Sequence, residues 1–111
     1  MKKVILITSD KMGEGEEEIC KIMIKKFFNN LVGAEKKPEA IIFYGVGVKL
    51  TIKGSPVLDA LYTLENEGVK MLSCATCINY YGLNDLVEVG EITNMPEFLK
   101  IIFDADDTVT I

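Results

Sequence analysis

Two cysteines three positions apart, Cys74 and Cys77, are the residues of this sequence best suited to chemistry. A Cys-x-x-Cys pair can form a reversible disulfide, supply two metal ligands or provide a nucleophilic thiolate. Cys74 directly follows an apolar segment and begins a predicted short helix, whose N-terminus would stabilise thiolate over thiol. The spacing alone leaves a second interpretation open, in which both cysteines are small buried apolar side chains.

Several other kinds of site are excluded by residues that the sequence lacks. It contains no histidine, so neither Ser-His nor Cys-His catalysis is available. Structural zinc needs four ligands, and the one further cysteine, Cys20, falls within a predicted helix. We therefore predict no metal site and no cofactor. Lys49 is a candidate charge for activating a thiol, although a solvated loop lysine is the simpler interpretation.

The overall composition limits the size, partners and location of the protein. A chain of 111 residues that is 49% hydrophobic can build one core, so we predict a single domain spanning residues 1–111. The net charge of −5 and the lack of arginine disfavour a nucleic-acid partner. No apolar run is long enough to span a membrane. Because three cysteines fit reduced thiols better than a secreted disulfide framework, we expect a cytoplasmic protein.

Apolar strand-like segments alternate with helical periodicity along the chain. Nearly continuous apolar strands are typical of a parallel sheet with both faces covered by helices. The pattern predicts an α/β fold, a three-layer sandwich with a mostly parallel sheet of about five strands. The predicted strands are 3–8, 40–44, 69–73, 86–89 and 108–111, and the predicted helices are 16–31, 55–67, a short one within 74–81, and 94–103.

Two details of these helices can be checked against the structure. The first helix is expected to bury a broad apolar stripe, and the second and fourth are expected to begin at the capping residues Ser55 and Asn94. The stripe consists of Ile19, Cys20, Met23, Ile24, Phe27, Phe28 and Leu31.

Ligands of parallel sheets bind outside the carboxyl ends of the strands, so the loops after the first three strands are the candidate binding region. These loops span 9–15, 45–51 and 74–82. The first loop is rich in glycine but lacks the Gly-Lys-Ser/Thr ending of a phosphate-binding loop, and its glutamates would repel phosphate. The candidate substrate-binding residues in the three loops are Ser9, Asp10, Gly13, Gly47, Lys49 and Tyr81.

Taken together, these loops make the sequence resemble the DsrE-like family of sulfurtransferases, over nearly its whole length. Within that family it is most similar to the C-terminal domain of the selenium-metabolism protein YedF. The stretches that carry the resemblance are 8–15 (TSDKMGEG), 47–51 (GVKLT), 72–77 (LSCATC), 80–82 (YYG) and 89–95 (VGEITNM).

The resemblance implies a DsrE/YchN-like fold, assembly into homotrimers or hexamers, and a sulfur relay in which a cysteine carries a persulfide. In sulfur-relay members the carrier cysteine stands eight residues before a glycine, as Cys74 stands before Gly82. Cys77 would then assist or resolve. The implied partners are sulfur donor and acceptor proteins. Because the chain contains no TusA-like domain with a Cys-Pro motif, a separate TusA-like protein is one of them, in sulfur or selenium metabolism.

Two other functions remain open at this point. The domain could be a structural or binding subunit of an oligomer whose cysteines are inert, in which case they should be inaccessible with raised pKa values. Alternatively, Cys74 and Cys77 could form a dithiol redox pair, which requires a reversible intramolecular disulfide.

Overall fold

A computed structural model, which describes residues 1–111, contains one five-stranded sheet with the strand order β4-β3-β2-β1-β5. Every strand pair in it is parallel. The elements are β1 (Lys3–Ile7), α1 (Glu17–Val32), β2 (Ala40–Phe43), a 3₁₀ helix (Gly45–Thr51), α2 (Leu58–Asn66), β3 (Lys70–Cys74), α3 (Ala75–Tyr80), β4 (Glu91–Thr93), α4 (Met95–Asp104) and β5 (Asp107–Thr110).

The helices cover both faces of the sheet. The chain steps in one direction from β1 to β2 and β3, and right-handed crossovers therefore put α1 and α2 on the same face, where they pack together. The return from β4 at one edge to β5 at the other runs in the opposite sense, so α4 crosses the other face. The predicted three-layer α/β sandwich is confirmed.

The core lies on both sides of the central strand β2, all four residues of which are buried. This burial explains why the strand is apolar at every position instead of at alternate ones. On the α1 side, the ring of Phe28 stacks on that of Phe43 with centroids 6.4 Å apart. None of the helices is both long enough and apolar enough to cross a membrane.

The predicted strand at 86–89 is wrong. These residues form a loop with one isolated bridge, between Ile52 and Val87, and the edge strand β4 begins only at Glu91. Residues 86–88 instead form backbone hydrogen bonds with Thr51 and Lys53. Gly90 then brings the chain against β3: it has a positive φ of 77°, and a Cβ there would lie 2.7 Å from the carbonyl oxygen of Met71. Pairing with β3 starts at the next residue, where Glu91 lies opposite Leu72.

The buried stripe of α1 is narrower than predicted. Cys20, Ile24 and Phe28 are buried, whereas Ile19 and Met23 are 47% and 41% exposed. A helix that packs on one sheet face buries only a limited arc, and the outer apolar residues remain uncovered.

Of the two predicted helix caps, the position of Asn94 is confirmed and that of Ser55 is wrong. Helix α2 begins at Leu58, and the Ser55 hydroxyl instead accepts the N–H of Val57 at 3.3 Å in the preceding turn. Asn94 occupies the N-cap position of α4, but its side chain makes no capping hydrogen bond.

Candidate functional site

The carboxyl ends of β2 and β3 bring the two cysteines next to the 3₁₀ helix. Phe43 and Ser73 are paired at the ends of these strands, so the segments that follow them leave the same edge of the sheet side by side. Cys74 is the last residue of β3 and the N-cap residue of α3, and Cys77 lies in the first turn of that helix. The short helix predicted at the Cys-x-x-Cys pair is confirmed.

The sulfur of Cys77 has a backbone hydrogen-bond donor and a neighbouring thiol. The backbone N–H of Gly45 donates a hydrogen bond to Cys77 Sγ over 3.1 Å, and the Cys74 thiol lies close enough to raise the pKa of Cys77. Cys74 is 8% exposed and Cys77 is half-buried, and both thiols are free. The site is therefore a pair of interacting thiols with one backbone N–H aimed at it.

The hydrogen bond between Gly45 and Cys77 is not predicted by the sequence. Its N–H reaches Cys77 because the residue adopts a positive φ of 59° at the entry to the 3₁₀ helix. A glycine after a strand signals a turn, but nothing in the local sequence tells which side chain its N–H will meet.

Gly47 holds this turn against the first strand. A Cβ on Gly47 would lie 2.3 Å from the carbonyl oxygen of Ile7, so only glycine fits without a backbone shift. The same carbonyl accepts the N–H of Tyr44 at 3.0 Å. The predicted binding residue Gly47 thus lies beneath the turn that carries the Gly45 N–H, and it is buried.

Lys49 and Tyr81 are brought together by the fold. Lys49 Nζ lies 4.6 Å from the centroid of the Tyr81 ring, a cation–π contact that joins the 3₁₀ helix to the end of α3. Tyr80, 81% exposed, packs edge-on against the same ring at 5.1 Å. Lys49 makes no hydrogen bond to either thiol.

The loop after β1 folds toward α1 and makes no hydrogen bond to Cys74 or Cys77. Ser9 Oγ accepts the N–H of Lys11 at 3.1 Å, and the carboxylate of Asp10 has no hydrogen bond or ion pair. Next along the loop, the N–H of Met12 donates to the carbonyl of Cys20 at 3.0 Å. Gly13 lines a cavity of about 340 Å³ against α1. The hydrogen bonds of Ser9 and the cavity at Gly13 thus involve the loop itself and α1, whereas the start of the loop, at Thr8, lies close to Gly45.

Comparison with known proteins assigns the family. A sequence model described as the DsrE/DsrF-like family matches residues 1–111. The chain belongs to the DsrE/DsrF-like family. No curated protein matches the sequence closely enough to count as a relative.

Solved structures support the fold of this DsrE/DsrF-like chain. The ychN protein from E. coli superposes with a TM-score of 0.67 at 16% identity, covering 100% of both chains. MTH1491, a protein of unknown function from Methanobacterium thermoautotrophicum, superposes with a TM-score of 0.69 at 16% identity, again over 100% of both chains. BT1422, from Bacteroides thetaiotaomicron, gives a TM-score of 0.68 at 14% identity, over 99% of this chain and 95% of its own.

In this DsrE/DsrF-like chain the surroundings of Cys77 disfavour its thiolate form. Burial raises the pKa of the Cys77 thiol above its ordinary value of 9.0, the hydrogen bond with Cys74 raises it further, and the Gly45 N–H lowers it in part. Cys77 therefore holds its proton at neutral pH, and its S–H can donate to the sulfur of Cys74. No group of three or more Cys, Asp and Glu side chains is arranged to hold a metal ion.

Alkylation of Cys77 is expected to reach half its maximal rate only above pH 9.0, because the thiolate is the reactive form and its pKa is raised. The measurement is iodoacetamide labelling across pH, with peptide mass spectrometry to resolve Cys77. The same peptide in denatured protein is the control and should titrate near the ordinary value. A native midpoint below that of the denatured chain would contradict the assignment of Cys77 as the protonated partner.

Proposed function

We propose that this protein, as a single domain of residues 1–111, carries sulfane sulfur as a persulfide on Cys74, with Cys77 assisting. The observation that carries the proposal is the thiol pair at the carboxyl edge of the sheet, with the Gly45 N–H donated to Cys77 Sγ at 3.1 Å. The terminal sulfur of a persulfide is an anion, and preorganised N–H donors stabilise developing anions. Membership of the DsrE/DsrF-like family supports a role in sulfur relay.

The transfer follows ordinary thiol exchange. The Cys74 thiolate attacks the outer sulfur of a donor persulfide, a bond forms between that sulfur and Cys74 Sγ, and the donor thiolate leaves with the electrons of the broken bond. An acceptor thiolate then removes the sulfur by the same step. The protonated Cys77 would act as a hydrogen-bond donor to the thiolate of Cys74.

The exposed surface beside the thiols is where the partners would meet the carrier. Lys49 and Tyr81, held together by their cation–π contact, and the exposed ring of Tyr80 form the rim of the site on the side of α3. Gly47 shapes the turn behind it. We propose this rim as the contact for donor and acceptor proteins, a TusA-like protein among them, whereas Ser9, Asp10 and Gly13 would meet a partner only if it extended to the first loop.

The test is intact-protein mass spectrometry after incubation with a sulfane sulfur donor. The reduced wild type should gain one sulfur, about 32 Da, and lose it again when a small acceptor thiol is added. A wild type that stays at its unmodified mass under conditions that load a reference persulfide carrier would overturn the proposal.

A second candidate function, an inert subunit of an oligomer, is favoured by the burial of Cys74 and the raised pKa of Cys77. Both properties lower thiol reactivity. The Gly45 N–H opposes this interpretation, because a donor aimed at a sulfur favours its anionic form. Sulfur loading and alkylation of the native protein separate the two functions: an inert subunit takes up neither reagent at Cys74 or Cys77.

The third candidate, a dithiol redox protein, is favoured by the contact between the two thiols. It predicts a disulfide that forms directly from an oxidant, without prior sulfur loading. Titration of the native thiols against a glutathione redox buffer would reveal such a couple by its defined potential.

We further propose that the chain forms a homo-oligomer, a trimer or hexamer. Two apolar surfaces support assembly: Ile19, Ile22 and Met23 on the outer face of α1, and Met95, Leu99 and Phe103 on that of α4. Monomer mass by multi-angle light scattering at micromolar concentration would argue against assembly.

A further inference from the structure

We propose that Cys77 discharges the sulfur held on Cys74 as hydrosulfide when no acceptor thiol is present, leaving a Cys74–Cys77 disulfide. This second activity rests on the proposed persulfide at Cys74. The persulfide sulfur then has two possible reactions, which are transfer to a partner thiol and release as free sulfide.

The position of the two cysteines permits this reaction. Cys74 is the N-cap residue of α3 and Cys77 is the third residue of that helix, so the two are three positions apart. The side chain of an N-cap residue lies near the third residue of its helix, so a disulfide between these two cysteines needs only a modest approach of their Cβ atoms. The proximity of the Cys74 thiol contributes to the raised pKa of Cys77 in the reduced protein.

The surroundings of Cys77 position its sulfur for attack on Cys74. Its sulfur is half-buried beside that of Cys74, and the Gly45 N–H at 3.1 Å can stabilise the thiolate once the proton has left. No other cysteine competes, because Cys20 lies in α1 and is only 4% exposed. Cys77 is thus the thiol nearest to a persulfide on Cys74.

The discharge is balanced in atoms and electrons. The sulfur of Cys77 attacks Cys74 Sγ and a Cys74–Cys77 bond forms, while the bond from Cys74 Sγ to the terminal sulfur breaks. The terminal sulfur leaves with that electron pair and takes the Cys77 proton, so that it departs as hydrosulfide. The two cysteine sulfurs are oxidised by two electrons in total and the sulfane sulfur is reduced by two. An external dithiol reductant would return the protein to its starting state.

Burial and the neighbouring Cys74 raise the pKa of Cys77, and the release of sulfide is therefore slow. A protonated thiol attacks poorly, so a thiolate from an acceptor protein reaches the persulfide first. Release as sulfide is then the fate of sulfur that finds no acceptor.

The test follows the mass of loaded protein after the donor is removed. Protein loaded with sodium polysulfide is desalted and kept without acceptor, and intact mass and free sulfide are recorded over time. The wild type should pass from about 32 Da above the reduced mass to about 2 Da below it, with one sulfide released per chain. Because the reaction is intramolecular, the first-order rate constant of sulfide release should not depend on protein concentration.

Two variants accompany the wild type. Cys77→Ser should keep the sulfur that it takes up at least tenfold longer than the wild type, with no loss of two hydrogens. Cys20→Ala should behave as the wild type, because that thiol lies outside the site. Each variant is compared with the wild type by circular dichroism.

The outcomes separate the two proposals. If the wild type loads but retains its sulfur as long as Cys77→Ser does, the proposed sulfide release is overturned and the proposed persulfide carrier function is unaffected. Unchanged mass with the added sulfur moved to the Cys77 peptide also overturns it, because that result is shuttling between the thiols. A wild type with no added sulfur at time zero overturns the carrier and the discharge with it.

Discussion

Cys74→Ser is expected to abolish sulfur loading, lowering the fraction of chains that gain about 32 Da to the background of the assay. The hydroxyl of serine has nearly the size of the thiol but does not form a persulfide. Because Cys74 is 8% exposed at the end of β3, the substitution buries a hydroxyl and is expected to lower stability by about 1–2 kcal/mol. Intact mass spectrometry measures loading, and thermal unfolding measures the cost in stability.

The matched controls for this experiment are the other two cysteines. Cys20→Ser, a buried cysteine distant in the chain, should load as the wild type does. Cys77→Ser should also load, since its hydroxyl can still accept the Gly45 N–H and donate to Cys74. Full loading of Cys74→Ser together with no loading of Cys77→Ser would move the carrier role to Cys77, the more exposed of the two.

Gly47→Ala is expected to lower the free energy of unfolding by about 3 kcal/mol and the melting temperature by about 15 °C. The added Cβ would lie 2.3 Å from the Ile7 carbonyl oxygen and 2.9 Å from its carbon, so backbone must move. The 3₁₀ helix carries the Gly45 N–H that binds Cys77, and its displacement should weaken that hydrogen bond. Urea denaturation and the rate of Cys77 alkylation measure the two effects.

Gly33→Ala is the control for the general effect of replacing a glycine. Gly33 ends α1 with a φ of −84°, which alanine adopts freely. A Cβ on Gly33 would lie 3.8 Å from the nearest atom, the carbonyl oxygen of Asn30. Its stability should therefore stay within about 0.5 kcal/mol of the wild type. Equal stability of Gly47→Ala and Gly33→Ala would show that the turn relaxes without cost and does not depend on glycine.

The elements that the sequence predicted correctly are those whose signal is local. The strand of residues 40–43 is apolar at every position because both of its faces are buried, and that pattern can be seen without knowing its neighbours. The short helix after Cys74 is predicted from the apolar strand that precedes it and the tight turn that opens it. The parallel topology then follows from the alternation of strands and helices.

The errors arose where the outcome depends on a distant residue. The edge strand begins after Gly90 and not at residue 86, because residues 86–88 form backbone hydrogen bonds with Thr51 and Lys53 instead of with β3. Ile19 and Met23 have the spacing of core residues, yet the sheet covers only the arc of α1 that contains Cys20, Ile24 and Phe28. Helical spacing predicts which residues share a face of the helix, but it does not predict how much of that face the sheet covers.

The sequence by itself determined the class of fold, the thiols available for chemistry and their place after the third strand, because these depend on residue type and short-range spacing. Only the tertiary structure decided that the Gly45 N–H meets Cys77, that Lys49 lies over Tyr81, and that the pKa of Cys77 is raised. Both contacts join the 3₁₀ helix that follows β2 to the helix α3 that follows β3. Their distance and direction come from strand register and backbone turns, which residue spacing along the chain does not encode.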